Sequence, residues 1–454
     1  LWGKQDSLNH KEFTDEGIHQ EKMPGYRTLP YGATAIHRRN DWAAIIKGYS
    51  KYVWSSEIYS ASNRYGRYPA NGTIELLNQG GEENSGIVQN GWDWNRYPGA
   101  TIVYLPLEEL ETEKSLLMFL SEESFAGAAQ LGDNGVFGMI LNESKGQNAD
   151  GLVSDRSVGF PEKLKAKKSI FSFGDKLICI GTNISSVDEK NPVQTNLFQT
   201  FLRTPEMAMY LEGDGLVEDF PFSSNSGNWV IDPYGNGYHV LSDSPIQVER
   251  KAQHSYHNKY SVRTGAMNSK GKGVKETKGD FATAWIDHGY APKNGSYQYV
   301  IYPFLDENEQ KSFVKKIKKD VSYKIVRADS IAHIVSDRES ATTSHVIYDS
   351  DNYSGTDILK RVSAPSIIMI NDSRSGGVIL SAVQPDLNFP VNQNKKNGFD
   401  NYSWPLEFTV TLNGNWELKP GTVVQSFKHV NGETVIGLEC QHGFSNKIEL
   451  IEIK

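Results

Sequence analysis

The sequence predicts an all-β protein: a large multi-layer antiparallel β-sandwich followed by a smaller C-terminal antiparallel β-sandwich. Three observations carry this. Short runs alternate apolar and polar residues with period two, as in KLICIGTNIS and LEFTVTL. Clusters of Gly, Asn, Asp and Pro separate the runs, and PYGNGY between NWVID and YHVL is one such turn. At 454 residues the chain is also too long for one hydrophobic core.

In chain order, residues 1–28 are charged and irregular and are expected to form a linker leaving an upstream domain. The opening LWGKQDSLNHKEF has neither an initiator methionine nor a charged-then-apolar signal pattern, so the chain is expected to begin inside a longer precursor. From Tyr31 the strand pattern takes over with ATAIHRR, WAAIIKGYS and YVWSSEIYS, and continues through YQYVIYPF. The lysine- and glycine-rich residues 267–280 read as an exposed loop within this unit. Residues 306–320 have helix-forming composition with Phe313, Val314 and Ile317 as apolar positions, which predicts one short surface helix. Strands then resume from YKIVRA to KIELIEI. The expected division is a central domain over 29–320 and a C-terminal sandwich over 321–454. Cys179 and Cys440 lie in apolar strand-like runs and read as two buried free thiols.

Composition limits function. Aromatic residues make up 11% of the chain, with 22 tyrosines and 9 tryptophans, which suits a wet, aromatic-lined binding surface. The net charge of -8 argues against a nucleic-acid partner. No apolar run reaches the roughly 18 residues that a spanning helix requires, so no membrane partner is expected. Locally the balance reverses: between His37 and Tyr68, Arg38, Arg39, Lys47, Lys51, Arg64 and Arg67 face only Asp41 and Glu57. A positive patch in an acidic body can focus an anionic ligand, although a solvated strand face would carry the same residues.

The densest chemistry is HRRNDWAAIIKGYSKYVWSSEIYSASNRYGRY, followed by NGWDWNRYPGA. Strand spacing would put Val53, Ser55, Glu57 and Tyr59 on one face. A carboxylate flanked by Tyr, Asn and Arg can be held ionised to orient catalytic groups, or can simply pin a turn by a salt bridge.

These two runs, with KSIFSFGDKLICIGTNIS, NWVIDPYGNGY, FATAWIDHGYAPKNGSYQYVIYP and SAVQPDLN, resemble the C-terminal half of bacterial chondroitin sulfate ABC lyases of polysaccharide lyase family eight. The resemblance spans nearly the whole chain. It implies a β supersandwich preceded by an α/α-toroid domain, with a sulfated glycosaminoglycan substrate lying between them. The implied reaction is β-elimination on chondroitin and dermatan sulfates, giving unsaturated uronate products in a secreted or periplasmic setting.

In the family, a tyrosine, a histidine and an arginine of the helical domain act with a glutamate of the β domain. That catalytic glutamate matches Glu57, whose implied role is to orient the tyrosine or arginine across the cleft. His37, Arg38 and Arg39 lie on a strand and do not match the toroid motif. Asn63, Arg64 and Arg67 are candidates for substrate binding or site support, as are Trp92, Trp94, Arg96 and Trp229, with layer packing as the alternative for the tryptophans. No cofactor is required for the chemistry. Chondroitin AC-type relatives hold calcium near an acidic version of GWDWNR, so Asp93 and Asn95 are the candidate ligands for calcium or magnesium, with Asn95 departing from the acidic pattern. Two other readings stay open: a non-catalytic carbohydrate-binding sandwich, and a lyase restricted to hyaluronan or chondroitin.

Overall fold

The computed structural model describes residues 23–453 apart from 40, 60–62, 79, 112–115, 150–156, 226, 243, 268–274, 373–375 and 396–397. Four antiparallel sheets stack in sequence, of five, nine, seven and four strands; of the remaining smaller sheets, the one that begins at Gly25–Leu29 packs on the nine-stranded sheet through Asn134–Asn142.

The nine-stranded sheet is central. Its middle strands Lys165–Phe173 and Lys176–Ser185 pair through a tight turn, and Gly295–Tyr302 and Asn134–Asn142 flank them. Period two explains why these strands read as nearly continuous apolar runs: Leu177 and Cys179 enter one core while Ile178 and Ile180 enter the next. The first core lies against the five-stranded sheet, which contains Ile246–Tyr256, Glu276–Tyr290 and Pro192–Phe201. The second joins Phe171, Ile178 and Ile180 to Val335, Val346, Ile367 and Met369 of the seven-stranded sheet. On Ser366–Asp372 the alternate residues Ile368 and Ile370 turn the other way, onto Phe408, Val410 and Ile436 of the outer four-stranded sheet. The central and C-terminal units therefore share a core.

The expected helix occupies Glu307–Lys319. Asp306 caps it by accepting from the Asn308 and Glu309 backbone N–H groups, and the Glu309 side chain returns a bond to the Asp306 N–H. Its Phe313 and Ile317 are buried against the nine-stranded sheet. Cys179 and Cys440 are buried free thiols. Among the described residues no helix is long and apolar enough to cross a membrane.

Three local expectations are corrected. Strand structure begins at Gly25–Leu29, which pairs with Thr34–Arg38, so residues 25–28 belong to the sandwich; residues 1–22 lie outside the described residues. Of the predicted loop, 268–274 lies outside the described residues, but residues from Glu276 continue a fifteen-residue strand held in register by Ile246–Tyr256. The run YVWSSEIYS is not one strand. Only Glu57–Tyr59 pairs, and the preceding residues form a turn in which Ser50 Oγ accepts from the Tyr52 and Val53 N–H groups. Val53 and Ser55 therefore do not share a strand face with Glu57.

Candidate active site

Glu57 opens the strand Glu57–Tyr59 at the edge of a small sheet, opposite Met118. Its side chain is exposed, and among the described residues its carboxylate has no hydrogen bond or ion pair. The backbone around it is fixed instead. Ser55 N–H donates to Phe119 O at 2.9 Å, Ser56 Oγ donates to Gly66 O, and Asn63 Nδ2 donates to Glu57 O at 3.2 Å. A Cβ at Gly66 would lie 2.2 Å from Asn63 Nδ2, so a larger residue there would displace the Asn63 side chain from its bond to Glu57 O.

The following loop is stitched to residues 256–263. Arg64 Nη1 pairs with Glu111 Oε1 at 2.7 Å and Arg64 Nε donates to Lys259 O at 3.1 Å, while Tyr65 OH donates to Tyr260 O. Arg64 thus supports the loop that carries Asn63. Beside it opens a cleft of about 560 Å³ walled by Asn63, Trp92, Trp94, Tyr97, Tyr238 and Glu75. Trp94 packs on Tyr65 and donates its indole N–H to Tyr256 O at 3.1 Å; Trp92 meets Tyr97 and Phe281 edge-on. Burial and the nearby Glu82 push the Glu75 carboxyl up to about 7, and burial pushes Asp232, also in the wall, up to about 6. Asp232 is held in the wall by donors from the Tyr234 and Asn236 backbone N–H groups and from Asn236 Nδ2.

The structure brings Glu57, Asn63, Arg64, Trp92 and Trp94 to one region and sends the other candidates elsewhere. Arg67 is enclosed, with Nη2 at 2.7 Å from Glu143 Oε2 and 2.8 Å from Glu162 Oε2 and its guanidinium over the Phe160 ring. Arg96 is buried between Trp285 and Tyr104 and donates to Asn196 Oδ1. Neither can reach a ligand in the cleft, so their support is from within the core. Trp229 packs edge-on against Phe313, on the opposite side of its strand from Val230, whose side chain enters the core next to the cleft.

Asp93 and Asn95 do not fit a divalent cation. Asp93 Oδ1 accepts from Asn95 N–H, its Oδ2 accepts from Tyr104 OH and faces Arg96 at 3.5 Å, and Asn95 Oδ1 accepts from Leu105 N–H. The oxygens a metal would need are taken by protein donors, and a guanidinium stands beside them. Among the described residues no group of three or more His, Cys, Asp or Glu is placed to hold a metal.

One anchoring residue carries no motif signal. Lys168, fully buried on Lys165–Phe173, donates to Asn71 O and Gly99 O at 2.7 Å each and reaches Gly72 O at 3.4 Å, tying together the ends of the segments that bear Asn63 and Trp94. Burial draws its pKa down to about 7, and the carbonyl acceptors oppose this by favouring the ammonium.

Stacked antiparallel sheets, with an aromatic cleft whose wall residue Asn63 holds the Glu57 backbone, define a class. A model of the super-sandwich domain of polysaccharide lyase family 8 matches residues 25–314, and the chain belongs to that family. It is 33% identical over 442 residues to the chondroitin sulfate ABC endolyase of Proteus vulgaris, covering 96% of this chain and 40% of that one. It is 29% identical to the chondroitin sulfate ABC exolyase of Bacteroides thetaiotaomicron, covering 97% and 43%. The fold superposes on Paenibacillus xanthan lyase with a TM-score of 0.74 at 18% identity, covering 99% of this chain and 40% of that one. The Streptomyces coelicolor chondroitin AC lyase solved with chondroitin sulphate gives 0.69 at 15%, covering 96% and 50%. The chain thus spans well under half the length of the curated relatives named here.

Proposed function

We propose that this chain is the β portion of a bacterial glycosaminoglycan lyase, secreted or periplasmic, that cleaves chondroitin and dermatan sulfates by β-elimination. The chemistry removes the uronate C5 proton once the adjacent carboxylate is neutralised, and protonates the bridging oxygen as it leaves, yielding an unsaturated uronate. The C5–H electron pair becomes the C4=C5 double bond as the C4–O bond breaks and its electrons leave with the bridging oxygen; the step is redox-neutral, so no cofactor is called for. The base and acid belong to an α/α-toroid domain upstream, and Glu57 is a positioning residue that orients them across the cleft.

The observation that carries this reading is the unpartnered, exposed Glu57 carboxylate on a backbone fixed from three sides and tied to the cleft-wall residue Asn63. The likeness to two chondroitin sulfate ABC lyases over nearly the whole chain supports the substrate class.

Glu57→Gln in the full-length protein tests it. Turnover of chondroitin sulfate, followed by the ultraviolet absorbance of the unsaturated uronate, should fall about 100-fold in kcat with KM changed by less than about threefold. The melting temperature should not move, because the side chain is exposed. Undiminished turnover would leave Glu57 without the role given to it.

A further inference from the structure

The net charge of -8 conceals a concentration of the opposite sign outside the cleft. Two adjoining concavities of about 440 and 370 Å³ share Lys165 and Ser185 in their walls. Lys145 and Lys163 complete the basic lining of the first, and Lys167 and Lys293 that of the second; Glu123 is the one carboxylate in either wall. The lysines come from separate stretches of chain. Lys165 and Lys167 are two apart on one strand and share a face. Lys163 precedes that strand, Lys145 precedes Gly146–Asn148, and Lys293 sits between Glu276–Tyr290 and Gly295–Tyr302.

Lys145, Lys163, Lys165 and Lys293 are exposed, and among the described residues none makes an ion pair or side-chain hydrogen bond. Lys167 is tethered to Ser330 O at 2.5 Å and lies over the Tyr348 ring. Glu123 accepts from Asn142 Nδ2 at 2.9 Å. The four lysines without an ion-pair partner repel one another, with Glu123 the one carboxylate in the two walls to offset them. Their arrangement suits an anionic ligand with several spaced charges, since ammonium groups on long stems serve as adaptable point charges.

One small sheet links the first concavity to the candidate site. Lys145 borders Gly146–Asn148, which pairs with Leu116–Ser121, which pairs in turn with the strand opened by Glu57. Strand spacing and rise put Lys145 roughly 15–20 Å from Glu57. We propose that this lysine-lined groove binds the acidic, sulfated sugar chain at units remote from the bond being cleaved. The identity of the ligand rests on the lyase reading; the groove's preference for an extended polyanion does not.

The test compares the full-length protein with a variant carrying Lys145→Gln, Lys163→Gln, Lys165→Gln and Lys293→Gln, and with the four Lys→Arg replacements. Calorimetric titration with chondroitin sulfate polymer at low salt should show affinity falling about tenfold in the Gln variant, a change that flattens as salt rises, and recovering in the Arg variant. Polymer KM should rise in parallel, with kcat and turnover of a tetrasaccharide unchanged. Polymer affinity within twofold of the parent overturns the proposal. So does equal loss on the tetrasaccharide, or duplex DNA bound by the parent as tightly as the glycan. A parent that binds polymer through these lysines but cleaves nothing would sink the lyase reading and leave the groove standing. Normal cleavage with polymer binding indifferent to the lysines would do the reverse.

Discussion

Replacing Arg67 by Met probes the polar hub beneath the cleft wall. The Arg67, Glu143 and Glu162 side chains are 3%, 2% and 7% exposed, and both carboxylates depend on one guanidinium. Methionine keeps most of the packing against Phe160 but removes the shared cation. Breaking a buried ion pair from one side costs about 3–5 kcal/mol. Asn71 Nδ2 still serves Glu143 Oε1 at 2.9 Å, whereas Glu162 loses the cation it relies on, so about 4 kcal/mol is expected near pH 8. At roughly 2 °C per kcal/mol for a chain of this size, the melting temperature should drop by about 8 °C.

The loss should depend on pH. Two facing carboxylates without a cation take up a proton, so their folded-state pKa rises above the ordinary value near 4.3. The folded variant then binds more protons than the unfolded chain between about 4.3 and the raised value, and its stability relative to the parent falls as pH rises through that window. Thermal scans by circular dichroism at pH 5, 6.5 and 8 check this. The deficit should be smallest at pH 5, and the triple variant Arg67→Met, Glu143→Gln, Glu162→Gln should recover most of it. A drop below about 2 °C at pH 8, or an equal drop at pH 5, would refute the reasoning.

Two further predictions concern the core. His333 is fully buried between the Ser169 and Thr182 hydroxyls, and burial pushes its pKa down to about 3, while His37 and His345 fall to about 4. The unfolded chain protonates these groups near 6.5 and the folded one does not, so stability falls as pH drops below 6.5, by about 2 kcal/mol per histidine at pH 5. His333→Gln should lower stability at pH 7 yet lose about 2 kcal/mol less between pH 7 and 5 in urea titrations; an unchanged pH slope would count against this. Ending the chain after Lys319 strips the seven-stranded sheet from Phe171, Ile178 and Ile180. The fragment should aggregate on expression, and a monodisperse, cooperatively melting fragment would contradict the shared core.

The layered β architecture was legible because its strands obey period two or run apolar throughout, as KLICIGTNIS does when both of its faces are buried. The helix was legible from composition, with Asp306 three residues before Glu309 at its start. YVWSSEIYS misled because the Ser50 hydroxyl captures two backbone N–H groups, and such local bonds compete with a sheet ladder that periodicity alone assumes. In the candidate site, Glu57 and Asn63 share one short motif, and the structure joins them by the Asn63 Nδ2 bond to Glu57 O. Arg67 and Arg96 read as candidates for substrate binding or site support, and their burial was not legible because their partners Glu143, Glu162, Trp285 and Asn196 lie far along the chain. Lys168 was hidden for the same reason: nothing in KAKKSIFSF distinguishes the lysine that turns inward from those that face water.

The Lys168 cradle has a consequence for how the cleft keeps its shape. Gathering backbone carbonyls from two loops is work that proteins often give to a bound ion. Here the cation is part of the chain, attached by a covalent stem and delivered by folding itself. It cannot be stripped by a chelator or exchanged for a competing ion, and it needs no supply from the surroundings. This junction between the segments bearing Asn63 and Trp94 is therefore indifferent to the ionic composition of the medium in a way that an ion-filled junction could not be.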